Sequence, residues 1–213
     1  MSLITAAFVF VVAAGILAAV GQSKDSKLRT WSSAGAVFQI EYPQNLVRCE
    51  HLDAENPDVW SPEATCAASI PVCDSSGHAG NVLACLAYPA SEFHGSEFQA
   101  AAFAVSRIDS FHIESDCLQR WGSPNVSDVH AEQIRGVKFQ AAKVEEPQGN
   151  YVAGHSVYRT FHKEACYELD VNISTALDSA FAAEDRPRKL SAAERGKIEG
   201  ALTQALEGFR FQK

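Results

Sequence analysis

Residues 166–175 have the sequence CYELDVNIST, in which apolar and polar side chains alternate from Tyr167 to Ser174. This period of two is typical of a strand with one buried face in an antiparallel sheet. Residues 151–162 form another extended segment, and a tight turn at residues 163–164 would place Arg159 opposite Glu168, a favourable cross-strand pair. The turn contains neither Gly nor Asn, so its sequence leaves the register open. The pattern predicts an antiparallel hairpin.

Further strands are predicted on both sides of this hairpin. WSSAGAVFQIEYP, from Trp31, indicates a strand pair with a turn at Ala34-Gly35, because Phe38, Ile40 and Tyr42 alternate with polar residues. The other segments with strand character are 82–89, 98–108, 127–134 and 137–146.

Two helices are predicted. The first follows Asp109 or Ser110 as the capping residue and ends near Gly122, with Cys117 on its inward face. The second begins at Ser191, which forms a capping box with Glu194. Its apolar stripe is Ile198, Leu202, Ala205, Leu206 and Phe209. We therefore predict the α+β class: an antiparallel sheet packed by helices in a single disulfide-stapled domain, residues 31–213, after an N-terminal apolar helix.

The N-terminus is apolar on all sides from residue 4 to residue 20, ITAAFVFVVAAGILAAV. Its length lies between a secretory signal and a minimal membrane span, and Ala19-Val20-Gly21 fits a signal peptidase site. We predict a signal peptide or membrane anchor at 1–21 and a linker at 22–30. Basic residues follow the apolar run and none precedes it, which argues weakly against export of the C-terminal part. The alternative to an export signal is a buried N-terminal helix. Export predicts an extracytoplasmic protein, whether periplasmic, secreted or membrane-anchored, with membrane contact only through this segment.

Six cysteines follow the predicted leader. An even number behind an export signal is typical of disulfides, because the compartment is oxidising. Six cysteines allow 15 connectivities, which the spacing does not resolve. An inward helix cysteine above a sheet suggests Cys117 with Cys166 as one pair. The candidates are Cys49, Cys66, Cys73, Cys85, Cys117 and Cys166.

The motif HKEAC places His162 four residues before Cys166. A catalytic thiol pair needs both side chains within hydrogen-bond reach. On a strand, positions i and i+4 lie roughly 13 Å apart, and the flanking residues favour strand. A thiol-dependent enzyme that uses Cys166 or another thiol with His162 or His155 is therefore the less favoured alternative.

Residues 50–81 lack periodicity and contain Cys66 and Cys73. Long irregular connections inside compact domains tend to be functional or disordered. Crosslinks would hold this segment, which argues against disorder. Trp60 is either a plug that anchors the segment or an exposed contact residue. With His51 and Asp53 it is the candidate partner surface. A cation site using His51, Asp53, Glu55 and Asp58 is the alternative, although the spacing is not that of an EF-hand.

The remaining features argue against several functional classes. The net charge is −8 with a pI near 5.3 and no basic stripe, which argues against nucleic acid. The sequence has no GxSxG, P-loop or dinucleotide motif, so neither a catalytic residue nor a cofactor is predicted. Two Asn-x-Ser sequons, at Asn125 and Asn172, matter only in a glycosylating cell. We predict a non-catalytic binding or accessory domain with an unknown protein partner.

The order of elements resembles the PsbP-like fold. The residues that carry the resemblance are VFQIEYPQNL near the start of the domain, the ACYELDVNI strand and a final helix running into LTQALEGFRF. The similar layout spans roughly residues 36–211. The PsbP-like group includes lumenal extrinsic subunits of the photosynthetic oxygen-evolving machinery and exported bacterial proteins. The resemblance implies an antiparallel sheet packed between helices, and a role in binding or stabilising a larger assembly.

Overall fold

The computed structural model describes residues 27–33, 35, 37–49, 66, 73, 80–121 and 123–213. Within these ranges the chain is mostly β-structure, with 52% of residues in strands and 23% in helices. The strands form two antiparallel sheets. The predicted signal or anchor segment lies outside the described residues.

The larger sheet has seven strands in the order β3-β4-β5-β9-β8-β7-β6. Every neighbouring pair is antiparallel, so the sheet consists of two meanders that meet where β5 pairs with β9. β9 therefore lies at the centre of the sheet and β6 at one edge. The strands are β3 Val47–Cys49, β4 Asn81–Ala87, β5 Phe98–Ile108, β6 Val126–Ile134, β7 Val137–Gln148, β8 Tyr151–His162 and β9 Ala165–Ala176.

The smaller sheet has the order β1-β2-β10, formed by Leu28–Ser32, Phe38–Pro43 and Phe209–Phe211. β1 begins inside the residues predicted as a linker. β10 follows the C-terminal helix directly and pairs with β2, with Phe209 opposite Ile40. The C-terminus thus closes a sheet begun near the start of the described chain.

Two α-helices are present in the described ranges, α1 Glu114–Gln119 and α2 Ala192–Gly208. The capping box predicted at α2 is confirmed: the Ser191 hydroxyl accepts from the Glu194 backbone N–H, and the Glu194 carboxylate accepts from the Ser191 N–H. Neither helix is long and apolar enough to cross a bilayer.

The hydrophobic core lies between one face of the larger sheet and a layer formed by α2 with the smaller sheet. Phe103 and Leu169 contribute from the sheet, Leu202 from α2, and Ile40 and Phe209 from the smaller sheet, all almost fully buried. The opposite face of the larger sheet carries Ala102, Ala104, Cys166, Glu168, Asp170 and Asn172, and we call it the far face.

The predicted fold class was wrong. The α+β prediction had one antiparallel sheet packed by helices, whereas the described structure is mainly β, with two sheets and three disulfides. The first helix is also shorter than predicted, beginning after Ile113. Asp109 does not cap it, because its carboxylate accepts from Arg107 and Asn81 at 2.7 and 2.8 Å.

The predicted hairpin is confirmed, and its register, which the sequence left open, is the one that a turn at residues 163–164 produces. Lys163 and Glu164 form the two-residue turn with φ of 47° and 61°, the left-handed conformations that suit a tight hairpin. Arg159 is directly opposite Glu168, and the same register places His155 opposite Asn172.

Candidate functional site

A row of polar side chains runs along the far face where β8 meets β9. Because side chains alternate along a strand, Glu168, Asp170 and Asn172 project to the same side of β9. β8 contributes Arg159 and His155 opposite them. The side chains of Arg159 and Glu168 are only 4% and 5% exposed, and those of His155 and Asp170 only 10% and 2%. We call these five residues the polar row.

One end of the polar row is an ion pair. Arg159 Nε donates to Glu168 Oε2 at 2.7 Å, and Arg159 Nη1 donates to the backbone carbonyl of Arg120. The guanidinium also lies over the ring of Trp121, 4.8 Å from its centroid, and 5.8 Å from that of Phe111. Burying two charges is costly unless they are paired and hydrogen-bonded, and this arrangement meets that requirement.

The contacts of Arg159 attach the connection between β5 and β6 to the far face of the sheet. The order of the larger sheet places β9, β8 and β7 between these two strands, so residues 109–125 must cross the sheet. We call this connection the crossover arm. It carries α1, which packs on β8 and β9, and the Cys117–Cys166 disulfide joins α1 to the far face. A covalent bond and a buried ion pair therefore fasten the same arm.

The other end of the polar row is a histidine network. His155 Nδ1 lies 2.8 Å from Asp170 Oδ2, within hydrogen-bond distance. The Asn172 amide nitrogen is 3.0 Å from Nδ1 and 2.9 Å from Nε2. Being nearly equidistant from both, it lies over the ring face rather than in the ring plane. The Ser174 hydroxyl donates to Asn172 Oδ1 at 3.0 Å.

An oriented imidazole with a carboxylate partner is able to exchange protons, which is the basis of acid–base catalysis. A nucleophilic mechanism also needs a hydroxyl or thiol aimed at the imidazole. Ser174 instead directs its hydroxyl to Asn172, and all six cysteines are in disulfides. None of them therefore offers the free thiol that the thiol-dependent alternative requires, and the histidine network is a polar contact between β8 and β9.

The disulfide prediction is confirmed, including the suggested Cys117–Cys166 pair. The other two bonds are Cys49–Cys66 and Cys73–Cys85. Their four cysteines are buried in one cluster with Ala102 and Ala104 of the far face. Cys66 and Cys73 both lie in the segment that follows β3. Their disulfides thus attach this segment to β3 and β4 at one edge of the sheet. Three disulfides are consistent with an oxidising, extracytoplasmic compartment.

His162, the histidine of HKEAC, is part of an aromatic contact. It is the last residue of β8, and its ring stacks on Phe211 with centroids 3.9 Å apart. Its Nε2 is buried without a hydrogen-bond partner. Burial and the charge of Lys163 lower the pKa of the His162 imidazole below its ordinary value. His162 therefore reinforces the docking of the C-terminal strand.

The predicted partner surface, Trp60, His51 and Asp53, lies outside the described residues, as do Glu55 and Asp58 of the alternative cation site. Within the described ranges, no three His, Cys, Asp or Glu side chains come together as a metal site would require. The cation-binding alternative remains a prediction.

A shallow surface groove of about 400 Å³ opens between residues 90–93 and the start of β5. Phe93 and Phe98 form its apolar part, and Ser91, His94 and Gln99 also line it. No residue of the polar row lines this groove.

The histidine network was not predicted, although the sequence contains the signal for it. His155 was considered only as a partner for a thiol. Once Arg159 is aligned with Glu168, the same hairpin register places His155 beside Asp170 and Asn172 on one face. Carrying the register along both strands would have identified the network.

Comparisons with known proteins found similarity only among solved structures. No family model and no curated protein matches the chain. Similar structures include LpqN, involved in cell envelope biogenesis of Mycobacterium tuberculosis, with a TM-score of 0.46 and 8% identity over 88% of this chain and 91% of that one.

Another similar structure is the cyanobacterial PsbP (CyanoP) from Synechocystis sp. PCC 6803. Its TM-score is 0.42 and its identity 11%, over 93% of this chain and 100% of that one. A protein from Bacteroides thetaiotaomicron VPI-5482 also has a TM-score of 0.42, with 12% identity over 87% of this chain. The chain spans about half of that protein, 48% of its length.

Proposed function

We propose that the protein is an exported, non-catalytic accessory domain that binds a protein partner through the segment between β3 and β4. The residues proposed for the contact are Trp60, His51 and Asp53. The domain functions outside the cytoplasm, where its three disulfides are stable.

The observation that carries this proposal is the position of two disulfides. Cys49–Cys66 and Cys73–Cys85 join two points of the segment between β3 and β4 to these neighbouring strands. In general, crosslinks reduce the conformational freedom that a long connection loses on binding, which lowers the cost of ordering it against a partner. A large aromatic residue in such a segment is a typical contact anchor.

The described side chains support binding over catalysis. Arg159 and Glu168 are occupied with each other and with the crossover arm, and His155 with Asp170. These groups lie away from the surface groove and fasten the strands to one another, which suits a rigid platform.

Site-specific photo-crosslinking in the source cells tests the proposal. A photoreactive amino acid replaces Trp60, and in a matched control it replaces Glu199, an exposed residue of α2. We expect a discrete crosslinked species from position 60 that position 199 does not give. Unlabelled wild-type protein in excess should abolish it, because a specific site saturates.

Two outcomes would overturn this function. Equal crosslinking from positions 60 and 199 would mean that neither marks a specific surface. If the protein were recovered from the cytoplasm with alkylatable thiols, the proposal that it is exported would be wrong.

A further inference from the structure

We infer that Asn125 is an N-glycan acceptor site, and that Asn172, which has the same sequence motif, is not. The inference rests on the export proposed above, since an N-glycan is added only during passage through a glycosylating secretory pathway. Both asparagines are followed two positions later by serine, with Val126 or Ile173 between, so both satisfy the acceptor motif.

Asn125 lies in an exposed turn. It follows Pro124 and immediately precedes β6, and residues 124–125 and 127–130 are exposed. Its backbone N–H donates to the Ser123 hydroxyl at 3.3 Å. Ser127, the hydroxyl residue of the motif, is also exposed, and its hydroxyl lies 3.5 Å from the Lys143 carbonyl. A bulky, solvated sugar at this turn displaces no packed side chain.

Asn172 is in the opposite environment. It is 0% exposed on β9, and β5 and β8 flank that strand. Its amide nitrogen contacts the His155 ring and its carbonyl oxygen accepts from Ser174. A glycan on this nitrogen would have to be buried inside the sheet layers, so a chain modified there could not adopt this fold.

A sugar at Asn125 also lies where the fold needs protection. β6 is an edge of the seven-stranded sheet, and nine consecutive residues of it are in strand. Exposed edges are templates for pairing with other chains, and proteins limit this with charges, bulges or bulky covers. β6 already has a register shift between Ser127 and His130 and a left-handed Asp128. A glycan one residue before Val126 would add to that protection.

The transfer itself is a substitution at carbon. A bond forms between Asn125 Nδ2 and C1 of the first sugar of a lipid-linked oligosaccharide. The bond from C1 to the pyrophosphate oxygen breaks, the lipid pyrophosphate leaves with that electron pair, and the amide loses one proton to a base of the transferase.

The test is expression of the full chain in a eukaryotic secretory cell, followed by electrophoresis with and without an N-glycan amidase. We expect one amidase-sensitive mobility shift in the wild type. Asn125→Gln and Ser127→Ala should lose it completely. Ser127→Thr, which keeps the motif, and Ser174→Ala, which removes the motif at Asn172, should keep it.

The outcomes separate this inference from the proposed function. A chain that is secreted without a glycan, or one whose shift is lost in Ser174→Ala, overturns the Asn125 assignment and leaves export intact. A chain retained in the cytosol overturns export, and with it the modification.

Discussion

Arg159 and Glu168 face each other across the β8–β9 hairpin, with Nε and Oε2 2.7 Å apart and both side chains almost fully buried. The pair connects two strands, and through the Arg120 carbonyl and the Trp121 ring it also holds the crossover arm. A single ion pair thus couples the hairpin at the centre of the sheet to the disulfide-bonded arm above it.

Replacing Glu168 by Gln should lower the free energy of unfolding by about 3–5 kcal/mol, because it leaves the Arg159 charge buried without its carboxylate. Urea denaturation measures this loss. The matched control is Asp109→Asn, which removes the carboxylate from the Arg107–Asp109 pair, whose side chains are 48% and 51% exposed. The control should cost less than about 1 kcal/mol, as exposed pairs do. Equal losses in the two variants would contradict this view of Arg159.

Removing the Cys117–Cys166 disulfide with paired alanines should destabilise the fold more than removing Cys73–Cys85 in the same way. All four cysteines are buried, so the packing losses are comparable, but the first bond closes a 49-residue separation and the second one of 12. Loop entropy predicts a difference of about 1 kcal/mol. Denaturant unfolding of both double variants measures it, and a larger loss from the shorter loop would exclude the entropic explanation.

Stability should fall as the pH drops from 7.5 to 5.5, partly through His162. Burial and Lys163 lower the folded-state pKa of His162 below the ordinary value of 6.5. The unfolded chain then binds more protons below pH 6.5, so the contribution is present above that pH and is lost on acidification. His162→Phe keeps a ring against Phe211 and removes the proton site. Thermal melts at both pH values should show a smaller decrease in Tm for this variant, whereas an unchanged or larger decrease would refute the assignment.

Gly208 should not tolerate a side chain. A Cβ at this position would lie 1.8 Å from the backbone oxygen of Glu41, so α2 and β2 would have to separate. We expect Gly208→Ala to cost about 1–3 kcal/mol or more by overpacking. Gly200→Ala is the control on the same helix, where an added Cβ meets nothing within 4 Å. That change should stabilise the protein by up to about 1 kcal/mol through helix propensity. Unfolding midpoints of the two variants should therefore move in opposite directions.

Local pattern was enough to predict several elements. β5 was expected at 98–108 and is found there, since its apolar run is long and bounded by polar residues. The β8–β9 hairpin was expected from the two extended segments, whereas its register was left open because the turn lacks Gly and Asn; the structure has the turn at Lys163 and Glu164.

The third strand of the smaller sheet could not be predicted from local pattern, although its β1–β2 pair was. Phe209 continues the apolar stripe of α2 in sequence, yet it begins β10. Its partner Ile40 lies far away in the chain, so only the folded arrangement brings the two strands together. The helix therefore ends at Gly208, and the chain continues into a strand that the local pattern did not indicate.

A disulfide map of the unreduced protein from its source cells, made by alkylation and peptide mass spectrometry, tests the stapled domain most directly. We predict no alkylated cysteine and three linked pairs: Cys49 with Cys66, Cys73 with Cys85, and Cys117 with Cys166. Free thiols on the native protein, or a different set of partners, would contradict the stapled, extracytoplasmic domain on which the proposed function depends.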